Sequence, residues 1–294
     1  MRDLILAYKA RKKAREPDFV PESFIWHAFL GLADALGFLA TGRSCVAMSL
    51  SLDKNSKNAP IRRRGRNYQG KPAGSGSWMP VIHRDIKPDN IFLRSRDTPG
   101  STKPFYVLLS DFGLAQYELE ALPPDPPGVQ PGDPGAQLHG LVGSIEHHAP
   151  ELAFDPYPSG KVVYQGVQQT SLQAGPHTAK SDVWAAACVV FGLCERDDLA
   201  HLDRNCFPLR SERARGRAAK RPVLELSDKS VYSEYLERTL AWAAAQDPAD
   251  RPDPWLLVNT VREQRDLWVA DPNWKAQVDV GGVLPSWATK QQTV

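Results

Sequence analysis

The sequence predicts a mainly α-helical protein with a few short strands, an α+β fold in which helices dominate. Three observations support this class. Apolar residues recur at three- and four-residue steps in 20–42, 231–245 and 254–268, which is the spacing of amphipathic helices. Residues 183–194 are apolar on all sides, which indicates a buried helix. Between 81 and 111 the apolar runs are only two to five residues long, which is typical of short strands.

The first 42 residues are predicted to form two helices. Residues 2–16 join a short apolar stretch to the basic run RKKAR, which predicts a polar surface helix. The second helix follows Pro21, and Gly42 is the residue expected to end it. Its periodic apolar positions are Phe24, Ala28, Phe29, Leu32, Ala35, Leu36 and Leu39.

Three polar segments separate the later elements. Residues 43–80 are rich in Ser, Asn, Arg, Lys and Gly and contain a basic cluster at 62–66, so we expect a surface insertion. Residues 122–135 hold six prolines, which predicts a loop. A second basic run occupies 210–221. Each basic run is either a solvated surface or a patch for an anionic partner.

Composition limits the classes of function. The formal net charge is +2, which gives no global electrostatic argument for binding to nucleic acid or to a membrane. The four cysteines show no metal-binding spacing, which favours free thiols in a reducing compartment, the cytoplasm or the nucleus. No signal peptide is visible, and the apolar run at 183–194 is shorter than the roughly 20 residues that span a bilayer.

An ordered set of short motifs carries the chemistry. Residues 83–90 read HRDIKPDN, DFG follows at 111–113, and APE follows at 149–151. Each triplet alone is a weak signal, but the three together in this order are very specific. The chain resembles the protein kinase family of the eukaryotic Ser/Thr type, and its helix at 20–42 is similar to that of NIMA-related kinases.

The resemblance implies a role for each residue of the site. Asp85 is the base beside the incoming hydroxyl, and Lys87 is directed at the transferred phosphate, as in kinases that act on Ser and Thr. Asn90 and Asp111 hold Mg²⁺ over the phosphates of ATP, and Phe92 lies beneath the adenine. Phosphoryl transfer depends mainly on positioning and charge neutralisation, and Mg²⁺ accepts a sparse set of protein oxygens.

Flanking residues extend the resemblance. Ser144 takes the place of a residue that touches the substrate backbone and Asp85. Asp182 has two interpretations that agree: it caps the central helix by accepting backbone amides, and it braces the catalytic loop. Glu151 and Arg251 are expected to form a largely buried ion pair. His83 is expected to be structural and not a general base.

The segment after DFG departs from the family pattern. Residues 114–142 contain no Ser or Thr, so the usual phosphorylation site of an activation loop is missing, and Tyr117 is the only hydroxyl there. Arg84 would normally bind that phosphate. Here it is expected to meet an acidic residue or nothing, the acidic candidates being Glu118, Glu120 and Asp133.

The resemblance also implies a domain organisation. We expect residues 1–268 to form a protein kinase large lobe without the small β lobe, and 269–294 to form a tail. Insertions are expected at about 43–80, 122–140 and 158–178. A kinase also needs a glycine-rich loop and a paired strand lysine. Neither is found, because Gly74 and Gly76 match only loop composition and Lys9 is assigned to a surface helix.

The expected function is ATP-dependent phosphoryl transfer to Ser or Thr of a protein substrate, impaired in this chain by the missing small lobe. The first alternative is a catalytically silent, kinase-derived interaction module. The missing lobe supports it, and the intact catalytic set opposes it. The second alternative is an anionic-surface or nucleic-acid binder that uses 62–66 and 210–221. Those runs lack interleaved stacking aromatics, so nucleic acid is the less expected partner.

Overall fold

The computed structural model describes residues 1–15, 18–43, 78–94, 105–118, 142–153, 177–197, 224–228, 231–274 and 284. Short 3₁₀ turns lie at Pro88–Asn90, Phe112–Leu114 and Ile145–His147. The helices and strands of these ranges are α1 (Arg2–Lys13), α2 (Glu22–Thr41), β1 (Val81–Ile82), β2 (Ile91–Arg94), β3 (Tyr106–Leu109), β4 (Gln116–Tyr117), α3 (Pro150–Ala153), α4 (Ala179–Glu195), α5 (Glu234–Ala243) and α6 (Pro254–Ala270). The prediction of a helix-rich fold with few short strands is confirmed.

Helix α2 lies at the centre of the apolar core, where it packs against α4 and α6. All its predicted apolar positions except Ala35 are buried, and Ile25 and Trp26 are fully buried as well. The helix is therefore covered on more than one stripe, and each such side chain contributes about 1.5–3 kcal/mol. Its predicted end is confirmed, because Gly42 adopts a left-handed φ of 71° and its N–H donates to the carbonyl oxygen of Phe38.

Helix α2 is also long and apolar enough, by length and composition, to cross a bilayer. Its most apolar 18-residue window has a mean hydropathy of 1.5, and 61% of that window is buried inside the protein. A core helix that contacts neighbours on several sides must be apolar on those sides. The packing of α2 between α4 and α6 therefore explains its composition.

Helix α1 corrects the prediction of a polar surface helix. Its span agrees with the sequence, but Leu4, Ile5 and Tyr8 are fully buried in the core. Lys9 lies on this helix and not on a strand, and it pairs with Asp197 just beyond α4. Only the basic end of α1 matches the predicted surface character, because apolar side chains one helical turn apart face the core.

The four strands form two separate antiparallel pairs. β2 pairs with β3, with Phe92 opposite Leu108 and Arg94 opposite Tyr106. β1 pairs with β4, with Val81 opposite Tyr117. The strands at 81–109 were predicted from their short apolar runs. β4 was not, because its two residues, Gln116 and Tyr117, carry no alternating apolar pattern.

Several predicted segments lie outside the described residues. These are the bulk of the insertions at about 43–80, 122–140 and 158–178, and both basic runs. At the edge of the first insertion, the indole of Trp78 donates a hydrogen bond of 2.9 Å to the carbonyl oxygen of Leu39. In the predicted tail, α6 continues to Ala270 and Leu284 is buried with the core residues.

Candidate active site

Three predicted site residues meet at one carboxylate, that of Asp85. The Nζ of Lys87 lies 2.8 Å from Oδ2 of Asp85, and the amide nitrogen of Asn90 donates to the same oxygen at 3.0 Å. Ser144 donates to Oδ1 of Asp85 from its backbone N–H and from its hydroxyl, both at 2.9 Å. Lys87 also donates to Oγ of Ser144 at 3.0 Å. The structure thus brings together residues 59 positions apart.

These contacts decide the charge of Asp85. Its burial alone would raise the pKa of the carboxyl group. Hydrogen bonds from Lys87 and Ser144, the positive charge of Lys87 and the amide of Asn90 more than offset burial, so that the pKa of Asp85 is lowered. The carboxylate is therefore ionised at neutral pH and is surrounded by donors that hold its orientation.

Two oxygen-bearing side chains adjoin this cluster. The amide nitrogen of Asn90 donates to Asp85, while its carboxamide oxygen accepts no hydrogen bond from the described residues. Asp111 is exposed in a left-handed conformation, φ 61°, and accepts one long hydrogen bond from the N–H of Gly113, 3.3 Å. It has no cationic partner among the described residues. This donor set fits Mg²⁺, which takes few protein oxygens and keeps others for phosphate and water.

Phe92 lies on the outer face of the β2–β3 pair. Its side chain is 58% exposed, and Leu108 directly opposite is 42% exposed. Side chains alternate between the two faces of a strand, so these two lie on one apolar surface while Ile91 packs into the core. An exposed aromatic ring beside Asn90 has the chemical character that a flat heteroaromatic ligand requires.

The catalytic loop is held from behind by Asp182. The backbone N–H groups of His83 and Arg84 donate to its two carboxylate oxygens at 2.6 and 3.0 Å. Burial raises the pKa of Asp182 to about 7, although both hydrogen bonds act to lower it. The brace predicted from the resemblance is confirmed.

The second interpretation of Asp182, as the cap of its own helix, is wrong. The N-cap of α4 is Thr178, whose hydroxyl accepts from the N–H of Ser181 while Ser181 reaches back to the N–H of Thr178. Asp182 is already the fourth helical residue, so its carboxylate can point away to the catalytic loop. The spacing of Thr178 and Ser181 is that of a capping box and was available as a signal in the sequence.

His83 is structural, as the sequence indicates. Its Nε2 donates to the carbonyl oxygen of Ser110 at 2.9 Å, and the N–H of Asp85 donates to its Nδ1 at 3.3 Å. Burial lowers the pKa of His83, which keeps the ring neutral. Its ring also meets the ring of Phe112 edge-on, with centroids 4.8 Å apart. His83 therefore joins the catalytic loop to the DFG segment.

The predicted ion pair between Glu151 and Arg251 is confirmed. The two guanidinium nitrogens of Arg251 bind the two carboxylate oxygens of Glu151 at 2.6 and 2.7 Å. The same guanidinium donates to the carbonyl oxygen of Lys180 at 3.2 Å, in the first turn of α4. The side chain of Arg251 is 0% exposed and that of Glu151 is 18% exposed. This pair fastens α3 to α4 across 100 positions of sequence.

Gly143 has a conformational reason that the resemblance alone does not provide. Its φ is +86°, and a Cβ at this position would lie 2.3 Å from the carbonyl oxygen of Arg84. Any side chain would therefore push Ser144 away from Asp85. The glycine is required where two loops approach closely.

Arg84 and its acidic candidates show what sequence reasoning missed. The Nε of Arg84 donates to the carbonyl oxygen of Leu114 at 2.6 Å. Glu118 accepts a hydrogen bond of 2.9 Å from the N–H of Ala179, the first residue of α4. Glu120 and Asp133 lie outside the described residues. A contact between a loop carboxylate and a distant helix amide leaves no pattern in the sequence.

A helical lobe with an ionised aspartate held by lysine, asparagine and serine is the arrangement of an enzyme class that positions phosphoryl groups. Residues 78–260 match the protein kinase domain family, which is more than half of the chain. The chain therefore belongs to the protein kinase family, whose members in general use ATP and Mg²⁺.

Relatives of known name agree with this family. The chain is 25% identical over 249 residues to the G2-specific protein kinase nim-1 of Neurospora crassa, which covers 85% of this chain and 22% of the relative. It is 25% identical over 258 residues to the G2-specific protein kinase nimA of Emericella nidulans, covering 88% and 28%. It is 31% identical over 111 residues to a serine/threonine-protein kinase US3 homolog of equine herpesvirus 1, covering 38% and 18%. The chain spans about a quarter of the length of the two fungal relatives.

Proposed function

We propose that this chain transfers the γ-phosphoryl group of ATP to a Ser or Thr hydroxyl of a protein substrate. The observation that carries the proposal is the Asp85 cluster, in which one ionised carboxylate is held by Lys87, Asn90 and Ser144. Asp85 is the base in this proposal, and Lys87 orients and partly neutralises the transferred phosphate. Asn90 and Asp111 are the metal ligands, and Phe92 supports the adenine.

The residues act by positioning and by charge. Asp85 exchanges its hydrogen bond with the hydroxyl of Ser144 for one with the substrate hydroxyl, and takes up that proton as the oxygen–phosphorus bond forms. Lys87 lies 2.8 Å from this carboxylate and 3.0 Å from Ser144, so its charge is available beside the reacting oxygen. Bound Mg²⁺–ATP supplies the phosphoryl group and the metal charge that neutralises the phosphates.

The test of the base is Asp85→Asn, measured as transfer to a protein substrate. The assay uses a fusion that places the small lobe of a fungal relative before Met1, so that nucleotide binding does not limit the rate. We expect a loss of about 10²–10⁴-fold, which is typical when a general base is removed. The matched control is Asp89→Asn, four residues away, because Asp89 pairs only with Arg2 at the surface. Full activity of Asp85→Asn would refute the role.

The substrate class has its own test. The contact between Lys87 and Ser144 supports aliphatic hydroxyl acceptors, because the lysine occupies space close to the base. Matched peptides that differ only in Ser, Thr or Tyr are offered to the same fusion. We expect transfer to Ser and Thr, and a preference for Tyr would overturn this part of the proposal.

We also propose that these 294 residues, taken alone, bind Mg²⁺–ATP weakly and transfer phosphate poorly. The supporting observation is the open surface beside the site, where Phe92 and Phe112 are 58% and 48% exposed. Contacts between charges are weaker in water than in a covered site. The alternative, a silent interaction module, uses the same exposed surface. Titration with Mg²⁺–ATP compares the chain with the fusion, and micromolar affinity with turnover from the chain alone would contradict this proposal.

A further inference from the structure

The segment that follows Asp111 is fixed at its far end by Glu118. β4 pairs with β1, and directly after it the N–H of Glu118 donates to the carbonyl oxygen of Pro80 at 2.9 Å. The backbone at Glu118 is therefore registered against the strand that leads into the catalytic loop. A side chain at this position has a defined origin and a defined direction.

The side chain of Glu118 ends at the N-terminus of α4. Its Oε1 accepts a hydrogen bond of 2.9 Å from the N–H of Ala179, the first residue of that helix. The first four N–H groups of a helix have no partner within it, and a carboxylate there is also favoured by the helix dipole. Thr178 satisfies the N–H of Ser181, so Glu118 satisfies a different donor of the same turn.

The same turn of α4 holds the catalytic loop. Asp182, one turn further on, accepts the N–H groups of His83 and Arg84. The first turn of α4 thus receives a carboxylate from the DFG segment and sends one to the catalytic loop. The negative charge of Glu118 lies close enough to act on the pKa of Asp182, which it raises. The two segments that carry Asp85 and Asp111 are therefore joined through a single helical turn.

We propose that Glu118 is a positioning residue whose own carboxylate fastens the segment following Asp111 to α4, so that no phosphorylation of that segment is needed to hold it. The absence of Ser and Thr from residues 114–142 agrees with this device. The inference rests on the proposed function for its meaning, because the segment it holds carries Asp111. The fastening itself is independent of activity and is tested separately.

The experiment measures amide hydrogen exchange of Ala179 and of residues 112–118 in the purified 294-residue chain. Glu118→Ala removes the acceptor, whereas Glu118→Gln keeps a carbonyl oxygen at the same position. A hydrogen bond to a charged group corresponds to roughly 10- to 100-fold in an opening equilibrium. We expect exchange of Ala179 to be faster by that factor in Glu118→Ala and to recover most of its protection in Glu118→Gln.

The matched control is Glu263→Ala on α6, because Glu263 is exposed and makes no hydrogen bond or ion pair within the described residues. Its exchange at Ala179 is expected to match the unchanged protein. The melting temperatures of Glu118→Ala and Glu263→Ala are expected to be alike, since the fastening is local. Unchanged exchange of Ala179 in Glu118→Ala would overturn the proposal, as would a uniform rise over the whole chain.

Phosphatase treatment completes the test, because it separates a built-in carboxylate from a modification. A phosphatase that acts on Ser, Thr and Tyr is expected to leave the exchange of Ala179 and of residues 112–118 unchanged. Faster exchange after treatment would show that a phosphate holds the segment and would overturn the proposal. Loss of transfer in no variant of Asp85, with Glu118-dependent exchange, would refute the proposed function and leave the fastening in place.

Discussion

The two ends of α4 are held in different ways. From Val183 to Leu193 the helix is buried among apolar side chains and packs against α2. Its first turn instead exchanges polar contacts with Glu118, with Arg251 and, through Asp182, with the catalytic loop. Apolar burial is non-directional and scales with area, whereas each hydrogen bond requires a particular atom at a particular place.

This difference indicates where the candidate site obtains its geometry. The apolar length of α4 fixes the position of the helix as a whole, and many side chains of similar volume would do so. The polar turn fixes Asp85 and Asp111 relative to one another through single contacts. We therefore expect the polar end of α4 to tolerate substitution less than the apolar length.

The largest effect on stability is expected at Arg251, which belongs to the polar end. Arg251→Ala leaves the buried carboxylate of Glu151 without its cation, and breaking one partner of a buried pair costs about 3–5 kcal/mol. Urea unfolding of the chain measures this loss. The control is Arg238→Ala, which breaks an exposed pair with Glu234 on α5 and is expected to cost far less. Equal losses for the two variants would contradict the comparison.

Gly143 tests the close approach between the loop before α3 and the catalytic loop. Gly143→Ala forces a side chain into a left-handed conformation and against the carbonyl oxygen of Arg84. We expect a cost of about 1–3 kcal/mol in unfolding free energy, the usual range for a strained backbone position. Transfer activity of the fusion should fall as well, because Ser144 moves away from Asp85. Wild-type stability and activity in Gly143→Ala would contradict this account.

Asp182 gives the comparison a pH dependence. In Asp182→Asn the new NH₂ group faces one of the two N–H donors of His83 and Arg84, which costs about 1–3 kcal/mol. Burial raises the pKa of Asp182 to about 7, so the folded protein holds this proton more tightly than the unfolded chain. A raised carboxyl pKa stabilises the fold at low pH, and that stabilisation is lost as pH rises from about 4 to about 7.

The measurement is urea unfolding of both proteins at several pH values between 4.5 and 7.5. Other titrating groups, including Glu22 with its raised pKa, are present in both proteins and cancel in the difference. We expect the stability advantage of the wild type over Asp182→Asn to be greatest near pH 4.5 and to narrow towards pH 7. An advantage that grows with pH would reverse the assignment.

The smallest effect is expected in the apolar length of α4. Leu193 is fully buried there, and Leu193→Met keeps its volume and apolar character. Such swaps usually cost less than about 1.5 kcal/mol, because the neighbouring side chains can adapt. Urea unfolding compares this variant with Arg251→Ala. A larger loss for Leu193→Met than for Arg251→Ala would break the distinction between the two ends.

Predictability from sequence follows the same division. α2, α4 and α6 were predicted because their apolar periodicity extends over many residues. The residues of the Asp85 cluster were named by the ordered motifs, and the structure brings Lys87, Asn90 and Ser144 to Asp85. The prediction of a polar surface helix at 2–16 was wrong, because three buried side chains produce only a short pattern beside a strong basic run.

The sequence by itself determined the family, the long helices and the chemical identity of the site residues. Local spacing is sufficient for these, because helical periodicity and the kinase motifs are each written in one contiguous stretch. Only the tertiary structure decided the buried face of α1, the brace from Asp182 to His83 across 99 positions, and the contact of Glu118 with Ala179 across 61. These contacts depend on which backbone N–H groups remain without a partner once the helices have packed, and that is a property of the assembled fold.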